Sequence, residues 1–126
     1  MPTTPSGHRT DDPTLNAFLA ALEDLDRALE LNIERAQRMK QRIAELQQTV
    51  ASGASLIDTV PRERAPLIVR LLTDSAETLQ ECGSRVRRTE AAALHKQGMT
   101  MDQIATLFGV TRQRVSALLR ETSSHS

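Results

Sequence analysis

The stretch between Pro13 and Gly53 constrains this chain most, because no proline or glycine interrupts it. Asp12 followed by Pro13 is typical of a helix start. The aspartate can accept hydrogen bonds from free backbone N–H groups, and proline at the first helical position loses no hydrogen bond there. We therefore predict one helix of about 39 residues, roughly 58 Å long at ~1.5 Å per residue. A helix of that length needs partner helices to cover its apolar side.

Apolar residues recur along this helix at alternating steps of three and four, which is the spacing of a coiled-coil seam. Asn32 is the one polar break in the seam, which also includes Ala36 and Val50. We expect the seam to mediate oligomerisation through Leu15, Phe18, Leu22, Leu25, Leu29, Asn32, Met39, Ile43 and Leu46.

The residues beside the seam argue against a parallel two-stranded zipper. In that arrangement Arg35 would face Lys40 of the other chain, whereas Ala21 and Ala28 offer no complementary charge. Small and apolar flanks instead widen the apolar stripe to the width used in an antiparallel bundle. We therefore expect a homodimer or larger homo-oligomer.

A second helical segment is predicted to begin within residues 61–66, after a loop at Ser52 and Gly53. Its own seam is more polar and consists of Ile68, Leu72, Ser75, Leu79, Cys82, Val86, Thr89 and Ala93. Two long helices joined by a short loop form an antiparallel hairpin, and two hairpins would complete a four-helix bundle. The predicted fold class is all-α, a long antiparallel helical hairpin of the coiled-coil or bundle type followed by a C-terminal helix-turn-helix.

The charges are distributed unevenly although the whole chain is neutral. Residues 1–84 carry 9 basic and 13 acidic side chains, and residues 85–126 carry 7 and 3. A locally basic end indicates an anionic partner for that end. We expect four regions: a disordered tail at 1–12, a helical oligomerisation region at 13–84, a DNA-binding region at 85–121 and a short tail at 122–126.

Residues 87–121 have the local signals of a helix-turn-helix. Gly98 can end one helix in a left-handed conformation, and Thr100 with Gln103 forms a capping box that starts the next. We predict that this second helix runs from 101 to 108 and is stopped by Gly109. Thr111 then caps a third helix that reaches about residue 120.

Seven positions fit the packing of the two short helices. The small or apolar side chains, together with one glycine at the turn, are Ile104, Ala105, Phe108, Gly109, Val110, Val115 and Leu118. Outward residues of the third helix include Arg112 and Gln113, side chains suited to guanine and adenine edges in the major groove. The predicted DNA-binding residues are Arg87, Arg88, Thr100, Thr111, Arg112, Gln113, Arg114, Ser116, Ala117 and Arg120.

The segment FGVTRQRV, residues 108–115, resembles the promoter-reading helix-turn-helix of bacterial primary sigma factors. It is similar, more loosely, to homeodomain-like and recombinase-type modules. The resemblance implies that Thr111 caps the helix beside a phosphate, that Arg112 and Gln113 approach bases, and that Arg114 contacts the backbone. Gln113 stands where the sigma pattern prefers glutamate, so the resemblance does not carry over a target sequence.

The sequence gives no support for catalysis, metal binding or membrane insertion. There is no phosphate-binding glycine loop, no nucleophile with a base and no cluster of metal ligands, so we expect neither an enzyme nor a cofactor. Cys82 is the one cysteine and cannot form an internal disulfide. No signal peptide or apolar membrane span is visible, which favours the bacterial cytoplasm and the nucleoid.

Two functions therefore remain open. The first is a dimeric, sequence-specific regulator of transcription that binds double-stranded DNA. The alternative is a helical protein-interaction module whose partner is RNA polymerase or a sigma factor.

Overall fold

The computed structural model describes residues 10–60 and 67–124. All regular secondary structure in these two ranges is helical, which confirms the predicted all-α class. The helices are α1 (Pro13–Ala51), α2 (Leu56–Thr59), α3 (Leu67–Lys96), α4 (Met101–Phe108) and α5 (Arg112–Ser124). Within the described ranges, no helix is long and apolar enough to cross a membrane.

The helix boundaries agree with the local signals, with two differences. Helix α1 has the predicted start and length. The one-turn helix α2 was not predicted, and α5 continues to Ser124 rather than ending near Arg120, where no glycine or proline stops it. The predicted start of the second long helix at 61–66 lies outside the described residues, within which α3 begins at Leu67.

The contacts of the chain divide it into two compact units, and both long helices contribute to each. The first, here called the helix-turn-helix unit, comprises residues 10–26 and 81–124 among those described. The second, the hairpin unit, comprises residues 27–60 and 67–80 among those described. The association of residues 10–26 with the C-terminal helices could not be predicted from the heptad pattern.

Helices α1 and α3 run antiparallel in both units. In the helix-turn-helix unit, Lys96 Nζ lies 3.1 Å from Asp12 Oδ1, and Arg85 forms an ion pair with Asp24. In the hairpin unit, Nη1 of Arg35 donates to the Thr78 hydroxyl at 3.2 Å. Residue numbers thus rise along α1 as they fall along α3, and the predicted hairpin is confirmed.

The seam predicted for oligomerisation divides into two rows with different exposure. One row, half-buried, consists of Phe18, Leu25, Asn32, Met39 and Leu46. Of the other row, Leu15 is half-buried, whereas the exposed members are Leu22, Leu29, Ala36, Ile43 and Val50. The buried residues of α1 are Ala21 and Ala28, which lie beside the leucine seam rather than within it.

Helix α1 begins with a network of side-chain hydrogen bonds. Oδ1 of Asp12 accepts from the backbone N–H of Thr14 at 2.9 Å and from its hydroxyl at 2.6 Å. The Thr10 backbone N–H donates to Asn16 Oδ1, and the Asn16 amide donates back to the Thr10 carbonyl, both at 2.8 Å. These bonds fix residues 10–12 onto the start of α1, while residues 1–9 of the predicted tail lie outside the described part of the chain.

The Asp12 carboxylate should make the stability of the fold depend on acid pH. Its hydrogen bond from Thr14 and its ion pair with Lys96 lower its pKa from an ordinary value of 3.8 to about 2. Because the folded-state pKa is lowered, this stabilisation is present above about pH 4 and is lost as the pH falls towards 2. Asp12→Asn keeps a capping oxygen but removes the charge. We expect it to melt at a lower temperature than the native chain at pH 7, and the difference to shrink at pH 2.5; a difference independent of pH would contradict this account.

Candidate nucleic-acid interface

Two capped helix starts and two glycines shape the C-terminal part of the helix-turn-helix unit. The Thr100 hydroxyl accepts from the Gln103 backbone N–H at 3.1 Å, and Gln103 Oε1 accepts from the Thr100 N–H at 2.9 Å. This is the predicted capping box. Gly98 after α3 has φ of 109° and Gly109 after α4 has φ of 68°, so both predicted left-handed positions are confirmed.

At Gly109 an added side chain should lower stability only because the backbone there has a positive φ. No atom would meet an added Cβ there, so Gly109→Ala tests the positive φ rather than a clash. We expect a loss of about 1–2 kcal/mol in the free energy of unfolding. Gly83→Ala is the matched control, because Gly83 lies inside α3 and its nearest contact would be an ordinary 3.7 Å to Arg87. That change should stabilise by about 0.5–1 kcal/mol. Urea unfolding of both variants is the measurement, and a Gly109→Ala variant as stable as the native chain would contradict the turn.

Helices α3, α4 and α5 pack around one small apolar core. Its buried residues are Ala91, Ile104, Ala105, Val115 and Leu118. Partly buried side chains surround it, and these are Leu94, Met99, Met101, Phe108 and Leu119. The predicted contacts between the helices are confirmed for Ile104, Ala105, Val115 and Leu118, whereas Val110 is exposed. This core fixes the two short helices against each other and determines which side of α5 faces outward.

The first turn of α5 presents three exposed polar side chains: Arg112, Gln113 and Arg114. The turn is held by Thr111, whose hydroxyl accepts from the Arg114 backbone N–H at 3.1 Å. Thr111 thus has the capping role predicted for it. An exposed helix start with two guanidinium groups and an amide offers donors to both phosphates and base edges.

Two acidic side chains that the sequence reasoning missed lie next to these arginines. Asp102, in the first turn of α4, has its Oδ1 3.6 Å from Arg112 Nη1. Glu121, in the last turns of α5, has its Oε1 4.0 Å from Arg114 Nη1. Segment 85–126 contains three acidic residues, and two of them are Asp102 and Glu121. Because so few acidic residues lie among seven basic ones, the sequence could have marked them as candidate ion-pair partners. The pairs are exposed and therefore contribute little to stability, and the pair with Glu121 directs the Arg114 guanidinium along α5 towards its later turns.

Farther along α5, the predicted interface residues are less open. Ser116 and Ala117 are half-buried, and Arg120 is exposed. Nη1 of Arg120 donates to the Ser116 hydroxyl at 2.9 Å, one helical turn away. Ser116 and Ala117 were predicted to point outward, whereas in the structure they are half-buried beside the core of the unit.

On α3, the two predicted arginines differ in their surroundings. Arg87 is exposed and borders a shallow depression whose other lining residues are Glu90, Phe108, Val110, Arg114 and Leu118. Arg88 is half-buried and already has an interaction partner. The structure therefore brings Arg87 and Arg114 to one concave surface, so Arg87 extends the basic side chains of α5 onto α3.

The rest of the described chain offers no group suited to metal binding. Within residues 10–60 and 67–124, no three His, Cys, Asp or Glu side chains lie close enough together to hold an ion. Cys82 is a free, half-buried thiol.

A comparison with protein families gives a match to the C-terminal part of the chain. Residues 82–124 match the model of a homeodomain-like domain, which covers the end of α3 together with α4 and α5. The match supports the predicted helix-turn-helix and the looser, homeodomain-like resemblance, but it does not extend to sigma factors. No curated protein and no solved structure gives a match.

Proposed function

We propose that this chain is a sequence-specific regulator of transcription that binds double-stranded DNA, acting as a homodimer held by its N-terminal helices. Helix α5 enters the major groove through its first turn, and Arg87 contacts the sugar-phosphate backbone. The protein works in the bacterial cytoplasm, on the nucleoid, and has neither catalytic activity nor a cofactor.

One observation carries the proposal: the start of the last helix, which a helix-turn-helix places at the groove, is exposed here and carries Arg112, Gln113 and Arg114. Arginine pairs with guanine O6 and N7, and glutamine pairs with adenine N6 and N7. The helix diameter matches the width of the major groove. The other predicted basic residues lie outside this first turn, Arg87 and Arg88 on α3 and Arg120 later in α5, and phosphate contacts are expected there.

A selection of bound duplexes from a random pool, made with the full chain, tests this proposal. We expect a recurring motif, bound at least about 10³-fold more tightly than a scrambled duplex. Binding to both duplexes should weaken as salt rises from about 50 to 200 mM, because neutralised phosphates release counterions. Absence of an enriched motif, together with absence of salt-dependent binding, would overturn the proposal.

A second candidate is a protein-interaction module that binds RNA polymerase or a sigma factor. The observation that favours it is Leu107, which is 62% exposed on α4 and lines a mostly apolar depression with Met99, Asp102, Gln103 and Thr106. Binding of purified polymerase or sigma factor that Leu107→Ser abolishes, without any binding of duplex DNA, would favour this candidate.

A further inference from the structure

The hairpin unit leaves apolar side chains of α1 uncovered. Leu29, Ile43 and Val50, which lie one or two heptads apart, are exposed to 44%, 42% and 57%. Ile33, one turn after Leu29, is exposed to 54%. Large aliphatic side chains so regularly spaced and so open are typical of a surface that is covered in the assembled protein.

Helix α3 has a matching exposed row. Leu72 and Leu79 are seven residues apart and exposed, and Val69 lies one turn before Leu72. Ala76, also exposed, continues this row between the two leucines. The hairpin unit therefore has an uncovered apolar row on each of its long helices.

The two rows lie on the same side of the hairpin. In α1 each exposed residue comes immediately after a residue that faces α3. Leu29 comes after buried Ala28, and Ala36 comes after Arg35, which bonds to α3. In α3 the order is the same, since Leu79 follows Thr78, which accepts a hydrogen bond from Arg35. One residue is a rotation of about 100° around a helix. Because the helices run in opposite directions and face each other, equal rotations bring both rows to one side.

We call this surface the apolar face and define it by Leu29, Ile33, Ala36, Ile43, Val50, Val69, Leu72, Ala76 and Leu79. Among the described residues of the hairpin unit that occupy the same heptad positions as the apolar face, Lys40 is the one charged residue. Its seven large side chains are 40% to 61% exposed, and covering them in a second copy contributes to the about 800 Å² per partner that a stable interface buries. A face with a single charge fits a second apolar face better than a charged partner, and homodimer interfaces are apolar in the same way.

A polar layer crosses the hairpin beneath the middle of the apolar face. Nη1 of Arg35 donates to Asn32 Oδ1 at 3.0 Å and also to Thr78. The Asn32 amide nitrogen and the Ser75 hydroxyl are buried there without a hydrogen-bond partner. In helical bundles, a single polar layer of this kind favours one register over sliding alignments of an otherwise uniform seam.

We propose that the apolar face docks on the same face of a second copy of this chain, so that two hairpins form a four-helix bundle. The surface is thus a two-helix face of residues 29–50 and 69–79, and it excludes Leu15, Phe18, Leu22 and Leu25, which belong to the helix-turn-helix unit. The inferred dimerisation does not depend on the proposed DNA binding. The spacing of two half-sites that the dimer would impose rests on the proposed function.

Two leucines of α1 provide a matched pair of variants for sedimentation of the full chain. Leu29 lies on the apolar face and Leu31 does not, yet they are 44% and 43% exposed. The native chain should sediment as a dimer, at twice 13.9 kDa, at tens of micromolar concentration. Leu29→Glu should weaken the dimer about 100-fold or more, because each copy brings a charge into the interface, whereas Leu31→Glu should change it less than about threefold. Leu72→Glu should act like Leu29→Glu, and circular dichroism shows whether each variant keeps its helices.

The outcomes separate this inference from the proposed DNA binding. A native chain that is monomeric at tens of micromolar overturns the inference and leaves the apolar face to a different partner, whatever the DNA measurement gives. Equal effects of Leu29→Glu and Leu31→Glu also overturn it. A dimer that Leu29→Glu and Leu72→Glu dissociate supports it even if no duplex is bound. If DNA is bound, the dissociated variants should lose affinity for paired half-sites but keep affinity for a single one.

Discussion

Replacing Ile104 with alanine is expected to lower the free energy of unfolding by about 2–5 kcal/mol. Ile104 has no exposed surface and lies among Ala91, Val115 and Leu118 in the core of the helix-turn-helix unit. The cavity left by the smaller side chain removes packing from the contact between α4 and α5, which is the contact that orients the first turn of α5. Domains are stable by only about 5–15 kcal/mol, so the change removes a large part of the total.

Leu107→Ala is the control for this prediction. It removes a side chain of similar size from the same helix, but Leu107 is largely exposed. Its effect on the free energy of unfolding should stay within about 0.5 kcal/mol. Urea unfolding followed by circular dichroism measures both variants, and equal losses for Ile104→Ala and Leu107→Ala would contradict the core described above.

Arg112→Ala should reduce affinity for a selected duplex by roughly 5-fold to 150-fold, which corresponds to about 1–3 kcal/mol, and affinity for a scrambled duplex much less. The reason is position: Arg112 is the first residue of α5, and its guanidinium lies at the exposed helix end that we propose enters the groove. The side chains of Arg112 and Asp102 are 65% and 73% exposed, so losing this ion pair should leave the fold intact.

Arg87→Ala is the matched control for base contacts, since Arg87 is exposed but lies on α3 and not on α5, the helix that we propose enters the groove. Its loss should weaken binding to both duplexes about equally and reduce the salt slope by roughly one phosphate contact. Fluorescence anisotropy at two salt concentrations measures both variants. If Arg112→Ala weakened both duplexes equally, Arg112 would contact phosphates rather than bases.

The sequence alone determined those parts of the protein that depend on neighbouring residues. The capping box of Thr100 and Gln103, the left-handed Gly109 and the helix start at Asp12 each join groups no more than a few residues apart. The core of Ile104, Val115 and Leu118 follows from helical spacing together with a turn of fixed length. Such interactions are visible in a sequence because the chain itself keeps the partners close.

Contacts between distant segments were decided only by the tertiary structure. Asp24 pairs with Arg85 across 61 residues, and no local pattern identifies that partner. The heptad pattern likewise marked Leu29 and Ile43 as seam residues without showing that α3 would leave them exposed. Helix α3 instead lies against the side of α1 that carries Ala21 and Ala28. Small side chains allow two helix backbones to approach closely, and only the packed structure shows which side of a wide apolar stripe is used in this way.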